Sequence, residues 1–197
     1  MLKKMTDTEI KEAILNAASK LFSHYGFNKT TMEDIAKAVR KGKSTLYYYY
    51  KSKEDVILDL ISRETCYIFD KINAAIRLNI SAYERLYTYF NVVTQEVEKV
   101  ANLYNICRLE LKENFIIQKR LKEIYNDKQV EVIKDILIYG VERREFQAIN
   151  KDEVSEIATL IDTIFLNLII FLLIEQEIPN WQKQIITLGN IVNRGLR

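Results

Sequence analysis

The chain has 197 residues, 48% of them hydrophobic and 28% charged, which is the balance of a soluble globular protein with a sizeable core. Five glycines and one proline, Pro179, are too few for a β architecture that turns every ten residues or so, and a nearly all-helical chain is expected. Two cysteines, Cys66 and Cys107, cannot form a disulfide framework and are read as buried thiols of a reducing compartment. The lysines of MLKKMTDTE have no apolar run behind them, so no secretory leader is expected and the protein is placed in the cytoplasm.

The net charge of +2 is unevenly spread. Residues 1–53 carry eleven Lys/Arg against five Asp/Glu, or +6, which leaves −4 for the rest. Residues 35–53 hold six basic side chains and no acidic one, so a polyanion is the expected partner of this end alone.

The first helix begins near Thr6, where Thr6-x-x-Glu9 has the capping-box spacing, and Gly26 stops it. Ile10, Ile14, Ala17, Ala18, Leu21 and Phe22 form its inward stripe. Thr31-x-x-Asp34 caps a short second helix that ends at VRKGK. A third short helix runs from Lys43 to about Tyr50, and Ser52-x-x-Asp55 caps a long fourth that continues to Ile76. The pattern restarts at Ser81 and breaks near Asn102. Further helices are expected over about 117–144, 153–176 and 180–194, the last two divided by Ile178-Pro179. The apolar run 157–174 contains Asp162 and Asn167, which fits a helix buried by its own core and a second subunit better than a membrane span.

Residues 47–50 are four consecutive tyrosines. At 100° per residue, Leu46 and Tyr50 share one side, Ser44, Thr45 and Tyr48 the other, and Tyr47 and Tyr49 the flanks. A helix with an outward face of hydroxyls that opens on Lys43 has the chemistry of a recognition helix. Its first side chains meet base edges while phenols and lysines grip phosphates. Lys53, at the start of the fourth helix, adds a cation and free amides suited to phosphate.

The stretch GFNKTTMEDIAKAVRKGKSTLYYYYKSKEDVILDLI resembles the DNA-binding head of TetR-family transcriptional regulators. Gly26, Phe27, Thr30, Thr31, Ile35, Ala36, Thr45, Leu46, Tyr47, Tyr49, Ser52, Lys53 and Glu54 carry the resemblance, and Tyr50 stands where Phe is usual. The chain departs from the pattern in the turn, where Arg40, Lys41 and Gly42 replace the usual Gly-Val-Ser. Arg40 would cost about 1 kcal/mol if the backbone there is left-handed, while Gly42 can still serve as an N-cap. Arg40 and Lys41 are expected to add phosphate contacts.

The resemblance implies an all-α fold: a three-helix helix-turn-helix domain over 1–52, then a helical ligand-binding and dimerisation domain over 53–197, about nine helices in total. It implies a homodimer on a pseudo-palindromic double-stranded DNA operator, released by a small molecule, with repression favoured over activation. Thr31, Arg40, Lys41, Lys43, Ser44, Thr45, Tyr47, Tyr48, Tyr49 and Lys53 are the candidate DNA-binding residues. Lys43, Ser44 and Tyr48 are placed near bases; Thr31, Tyr47, Tyr49 and Lys53 near phosphates. Tyr67, Phe90, Tyr104, Cys107, Glu110, Tyr139, Asp162 and Phe165 are placed on inward faces as candidate ligand-binding residues. Twelve tyrosines and eight phenylalanines favour an apolar or aromatic effector.

Catalysis is not expected. His24 is the only histidine, so there is no His-based acid–base pair or zinc cluster, and neither Glu-x-x-His nor a glycine-rich phosphate loop occurs. No metal or cofactor is expected. The alternative reading is a helical ligand- or protein-binding dimer that has lost specific DNA binding.

Overall fold

The computed structural model describes residues 5–78, 81–103, 110, 113–175 and 180–197. Among them are eight helices: α1 (Asp7–Tyr25), α2 (Met32–Ala38), α3 (Lys43–Tyr49), α4 (Lys53–Ile76), α5 (Ala82–Leu103), α6 (Phe115–Glu142), α7 (Val154–Glu175) and α8 (Trp181–Gly195). The fold is all-α. Tyr104, Cys107 and the Ile178-Pro179 divider lie outside the described residues.

Local chemistry sets the helix starts. The Thr6 amide donates to Glu9 at 2.7 Å while the Glu9 amide donates to the Thr6 hydroxyl at 3.2 Å, so two orphan donors are satisfied reciprocally. Thr31 and Asp34 do the same for α2 at 3.0 and 3.2 Å, and Ser81 and Glu84 for α5 at 3.3 and 3.1 Å. The Ser52 hydroxyl accepts from the Asp55 amide at 3.1 Å at the start of α4. Gly26 ends α1 with φ of 90°, a conformation that an L side chain rarely adopts.

The chain forms two compact units. The first takes in residues up to Glu64 together with Ala101–Lys122, and the second comprises Thr65–Val100 and Glu123–Arg197. In the first, Ile14, Phe22, Ile35, Leu46, Ile57 and Leu60 are fully buried, and the Phe22 and Phe27 rings meet at 5.5 Å. In the second, α4 supplies Ile68, Phe69, Ile72 and Ile76 to a core shared with residues of α5 to α8. Phe90 and Phe165 stack there at 4.0 Å and 16°. A Cβ on Gly189 would lie 2.4 Å from the Phe90 ring, so this glycine permits the close approach of α8. None of the described helices is long and apolar enough to cross a membrane.

Two expected placements are corrected. Cys66 is exposed rather than buried, and Tyr67 stands 54% exposed rather than facing inward. Both fall beside the stripe Thr65, Ile68, Phe69 and Ile72 that turns α4 towards its core, and the Lys71 ammonium lies over the Tyr67 ring at 4.5 Å.

Candidate nucleic-acid interface

The α2–α3 turn is built from the backbone outward. Arg40 has φ of 54°; its amide donates to Lys37 and the Lys41 amide to Ala36, both at 3.0 Å. These two bonds make a Schellman closure of α2 with arginine at the left-handed position that glycine usually fills. Gly42 then N-caps α3 at φ −71°, with no side-chain cap bond. Arg40 and Lys41 have no side-chain hydrogen bond or ion pair among the described residues.

The tyrosine run is helical, and its sides separate as the wheel predicts except at Thr45. Leu46 and Tyr50 are buried, whereas Tyr48 stands 77% exposed and Lys43, Ser44 and Tyr47 are exposed. Thr45 is half-buried. Tyr48 rests edge-on against Tyr49 with centroids 5.0 Å apart. The Tyr49 hydroxyl donates to Asp7 at 2.7 Å; that bond, then burial, pushes its phenol up to about 12. Beneath, the Tyr50 hydroxyl donates to Asp59 at 2.6 Å, and Lys11 pairs with the same carboxylate at 2.8 Å. Burial first, then Asp59, raises the Tyr50 phenol above its ordinary value. Burial also acts on Asp59, but the bonds from Lys11 and Tyr50 outweigh it and hold the carboxyl below its ordinary value.

The cations near this face differ in their partners. The Lys43 ammonium is bonded to Glu33 of α2 and lies 5.9 Å from the centre of the Tyr47 ring. The Glu33 bond raises the lysine's pKa and lowers the carboxyl's. Thr31 is engaged by its own cap, and its hydrogen bonds lower the Asp34 carboxyl. Lys53 points back into the head: its ammonium donates to the carbonyls of Phe27 at 2.6 Å and Asn28 at 3.4 Å, and lies over the Phe27 ring at 4.3 Å. Sequence reasoning missed Asp7, Glu33 and Asp59 as partners. Glu33 lies ten residues before Lys43, a separation that no helical period marks.

Of the candidate ligand residues, Phe90, Phe165 and Asp162 are buried in the second unit. Asp162 is 4% exposed, and burial pushes its carboxyl up to about 6. Burial and the Asp162 charge also raise the neighbouring Tyr89 phenol. Tyr139 is half-buried, with the Arg85 and Arg143 guanidinium groups 3.6 and 5.1 Å from its ring centre. Glu110 belongs to the first unit, where it accepts from the Phe27 amide at 2.6 Å and the Asn28 amide at 3.0 Å. Among the described residues no group of three His, Cys, Asp or Glu could hold a metal ion.

Comparison with known proteins agrees with this geometry. The pattern of "Bacterial regulatory proteins, tetR family" matches residues 14–60, from the middle of α1 into α4. The chain belongs to the TetR family. It is thus a DNA-binding transcriptional regulator, of a family that is not enzymatic. This TetR-family chain is 24% identical over 138 residues to the fatty acid metabolism regulator protein of Bacillus subtilis (strain 168), covering 68% of this chain and 69% of that one. A transcriptional regulator from Cytophaga hutchinsonii ATCC 33406 matches in fold with a TM-score of 0.71 and 27% identity, over 93% of this chain and 94% of the other. Thermus thermophilus FadR, a TetR-family repressor solved with lauroyl-CoA, matches at TM-score 0.71 and 19% identity, over 95% of each chain, a likeness of fold alone.

Proposed function

We propose that the protein is a repressor that binds a pseudo-palindromic operator as a homodimer in the cytoplasm and is released by an apolar or aromatic small molecule. Residues 1–52 serve as the reading head and 53–197 as the effector and dimer body. The observation that carries this reading is the face of α3: Tyr48 outermost, with Lys43 and Ser44 beside it, and Leu46 and Tyr50 anchoring the opposite side. A rigid aromatic held at its base presents one hydroxyl at a fixed reach, which suits recognition better than a flexible side chain. Lys43, Ser44 and Tyr48 are assigned to bases, and Thr31, Thr45, Tyr47 and Tyr49, with Arg40 and Lys41 of the turn, to the backbone.

Exposed Leu160 and Ile164 on α7 and Ile191 on α8 support pairing of two chains through the last two helices. The aromatic core around Phe90 and Phe165 supports an apolar effector, and the Bacillus relative named as a fatty acid metabolism regulator makes acyl chains the first to try.

Selection of bound sequences from random duplex DNA, followed by a salt titration on the best one, tests the proposal. A two-fold-related site whose affinity falls steeply with salt is expected, with two chains bound per duplex. Acyl-CoA thioesters and planar aromatic compounds are then screened for release. Enrichment of no sequence at low salt would overturn the reading in favour of a dimer without specific DNA binding.

A further inference from the structure

The turn between α1 and α2 is held from both sides by opposite charges. Glu110, more than eighty residues further along the chain, accepts the Phe27 and Asn28 amides at 2.6 and 3.0 Å. Lys53 donates to the carbonyls of the same two residues at 2.6 and 3.4 Å and covers the Phe27 ring. The peptide between Phe27 and Asn28 therefore lies between an anion on its N–H side and a cation on its C=O side. Bonds from ionised groups are the stronger kind, and the shorter one on each side, to Phe27, is partly buried.

What hangs on that peptide is the start of the reading head. Phe27 is buried against Phe22, the Thr30 hydroxyl donates back to the Gly26 carbonyl at 2.7 Å, and Thr31 caps α2. A rotation of the peptide would shift α2 and with it the turn into α3. A second tie joins the same two stretches of chain, Arg120 pairing with Asp55 in the first turn of α4 at 2.8 Å. Contacts accordingly group Ala101–Lys122 with the head.

We propose that Glu110 is a positioning residue for DNA reading: together with Lys53 it locks the Phe27–Asn28 peptide, so that operator recognition depends on a residue far outside the helix-turn-helix. The proposal rests on the head's being a DNA reader. Any displacement of Glu110 would then loosen recognition by freeing the Phe27 and Asn28 amides.

The test compares the full-length wild type with Glu110→Ala and Glu110→Gln on the selected operator and on a scrambled duplex of equal length. Loss of two charge-assisted bonds is expected to weaken operator binding about 10-fold in Glu110→Ala, with Glu110→Gln, which keeps an acceptor oxygen, in between. Binding to the scrambled duplex should stay within about 2-fold, because no phosphate contact is removed. Hydrogen exchange at the Phe27 and Asn28 amides should accelerate in both variants while α1 stays protected. If Glu110→Ala fails to fold, the glutamine variant carries the test alone. Unchanged operator affinity with unchanged exchange overturns the proposal. So does a parallel fall on both duplexes accompanied by a lower melting temperature, which marks a purely structural role. Should the wild type select no operator, the DNA-reading premise fails by itself, and the exchange data still decide whether Glu110 holds the turn.

Discussion

The turn after α2 and the turn after α6 close their helices with the same backbone device and differ in how they treat charge. Arg40 at φ 54° and Arg144 at φ 58° both take the left-handed position of a Schellman closure. After α6, the Arg144 amide donates to Val141 at 3.1 Å and the Glu145 amide to Gly140 at 2.8 Å. There the following residues fasten the turn. The Glu145 carboxylate accepts from the Ala82 amide at 2.7 Å and from Arg143 at 2.9 Å, and Phe146 is buried against Gly140, where an added Cβ would lie 2.2 Å from its ring. After α2, Lys41 follows with no partner among the described residues, and then Gly42. One turn pairs its Arg143 with Glu145 and buries an aromatic; the other leaves Arg40 exposed and Lys41 unpaired among the described residues beside the recognition helix. The same strain thus serves packing in one place and, on the proposed function, an anionic partner in the other.

The largest expected effect lies in the fastened turn. Phe146→Ala should destabilise the chain by about 3–5 kcal/mol, the range for truncating a fully buried aromatic. Val39→Ala, at the half-buried end of α2, should cost about 1 kcal/mol or less. Urea unfolding of both variants measures the contrast, and equal losses would erase it.

A buried ionisable group also occurs in the second unit. Asp162 has no hydrogen bond or ion pair among the described residues, and its carboxyl sits near 6 instead of 3.8. The folded state therefore holds this proton more tightly than the unfolded chain. Stability is lost as pH rises from about 4 to about 6, and the full penalty applies above that. Asp162→Asn should gain about 1–3 kcal/mol at pH 7.5 and nothing at pH 4. Urea midpoints at the two pH values check this; a gain that is the same at both would mean that ionisation is not the cause.

These contrasts also mark what could be read from the sequence. The caps Thr6–Glu9, Thr31–Asp34 and Ser52–Asp55 and the stop at Gly26 were legible because each is decided within three residues of chain. So was the sidedness of α3, since burial of Leu46 and Tyr50 against exposure of Tyr48 follows from helical period alone. Glu110 on the Phe27–Asn28 peptide and Gly189 beneath Phe90 were not, because chain spacing carries no signal at such separations. Glu110 instead looked like an inward acid of the body. Phe90, Tyr67 and Tyr139 gave one hydropathy signal but ended stacked, exposed and flanked by arginines, respectively, so an aromatic pattern could not separate pocket, core and surface. Arg40 was the instructive intermediate. The missing glycine was visible and its cost could be stated conditionally; the backbone at φ 54° meets the condition.

Glycine at each left-handed position sharpens the comparison. Arg40→Gly and Arg144→Gly should each stabilise the chain by about 1 kcal/mol, since glycine lacks the Cβ that the left-handed backbone strains. Both should raise the urea midpoint similarly. Only Arg40→Gly should also weaken DNA binding, so stability and affinity would move in opposite directions in one turn and independently in the other. A loss of affinity in both variants would point to a change in the fold rather than to a contact.

The smallest effect on stability belongs to the most informative variant, Arg40→Ala with Lys41→Ala. Alanine retains the Cβ, so the left-handed strain stays and the melting temperature should hardly move. The charges alone are removed. If each cation displaces one counterion and two chains bind one duplex, the four lost charges should make the slope of log affinity against log salt shallower by about 3.6, with operator and scrambled duplex affected alike. Sequence preference should survive, because it is assigned to Lys43, Ser44 and Tyr48 rather than to the turn. An unchanged slope would make Arg40 and Lys41 an ordinary solvated pair, and the strain at Arg40 would then have no return in binding. A slope reduced by about half that amount would assign the contact to one residue, and the Arg40→Gly measurement already identifies which.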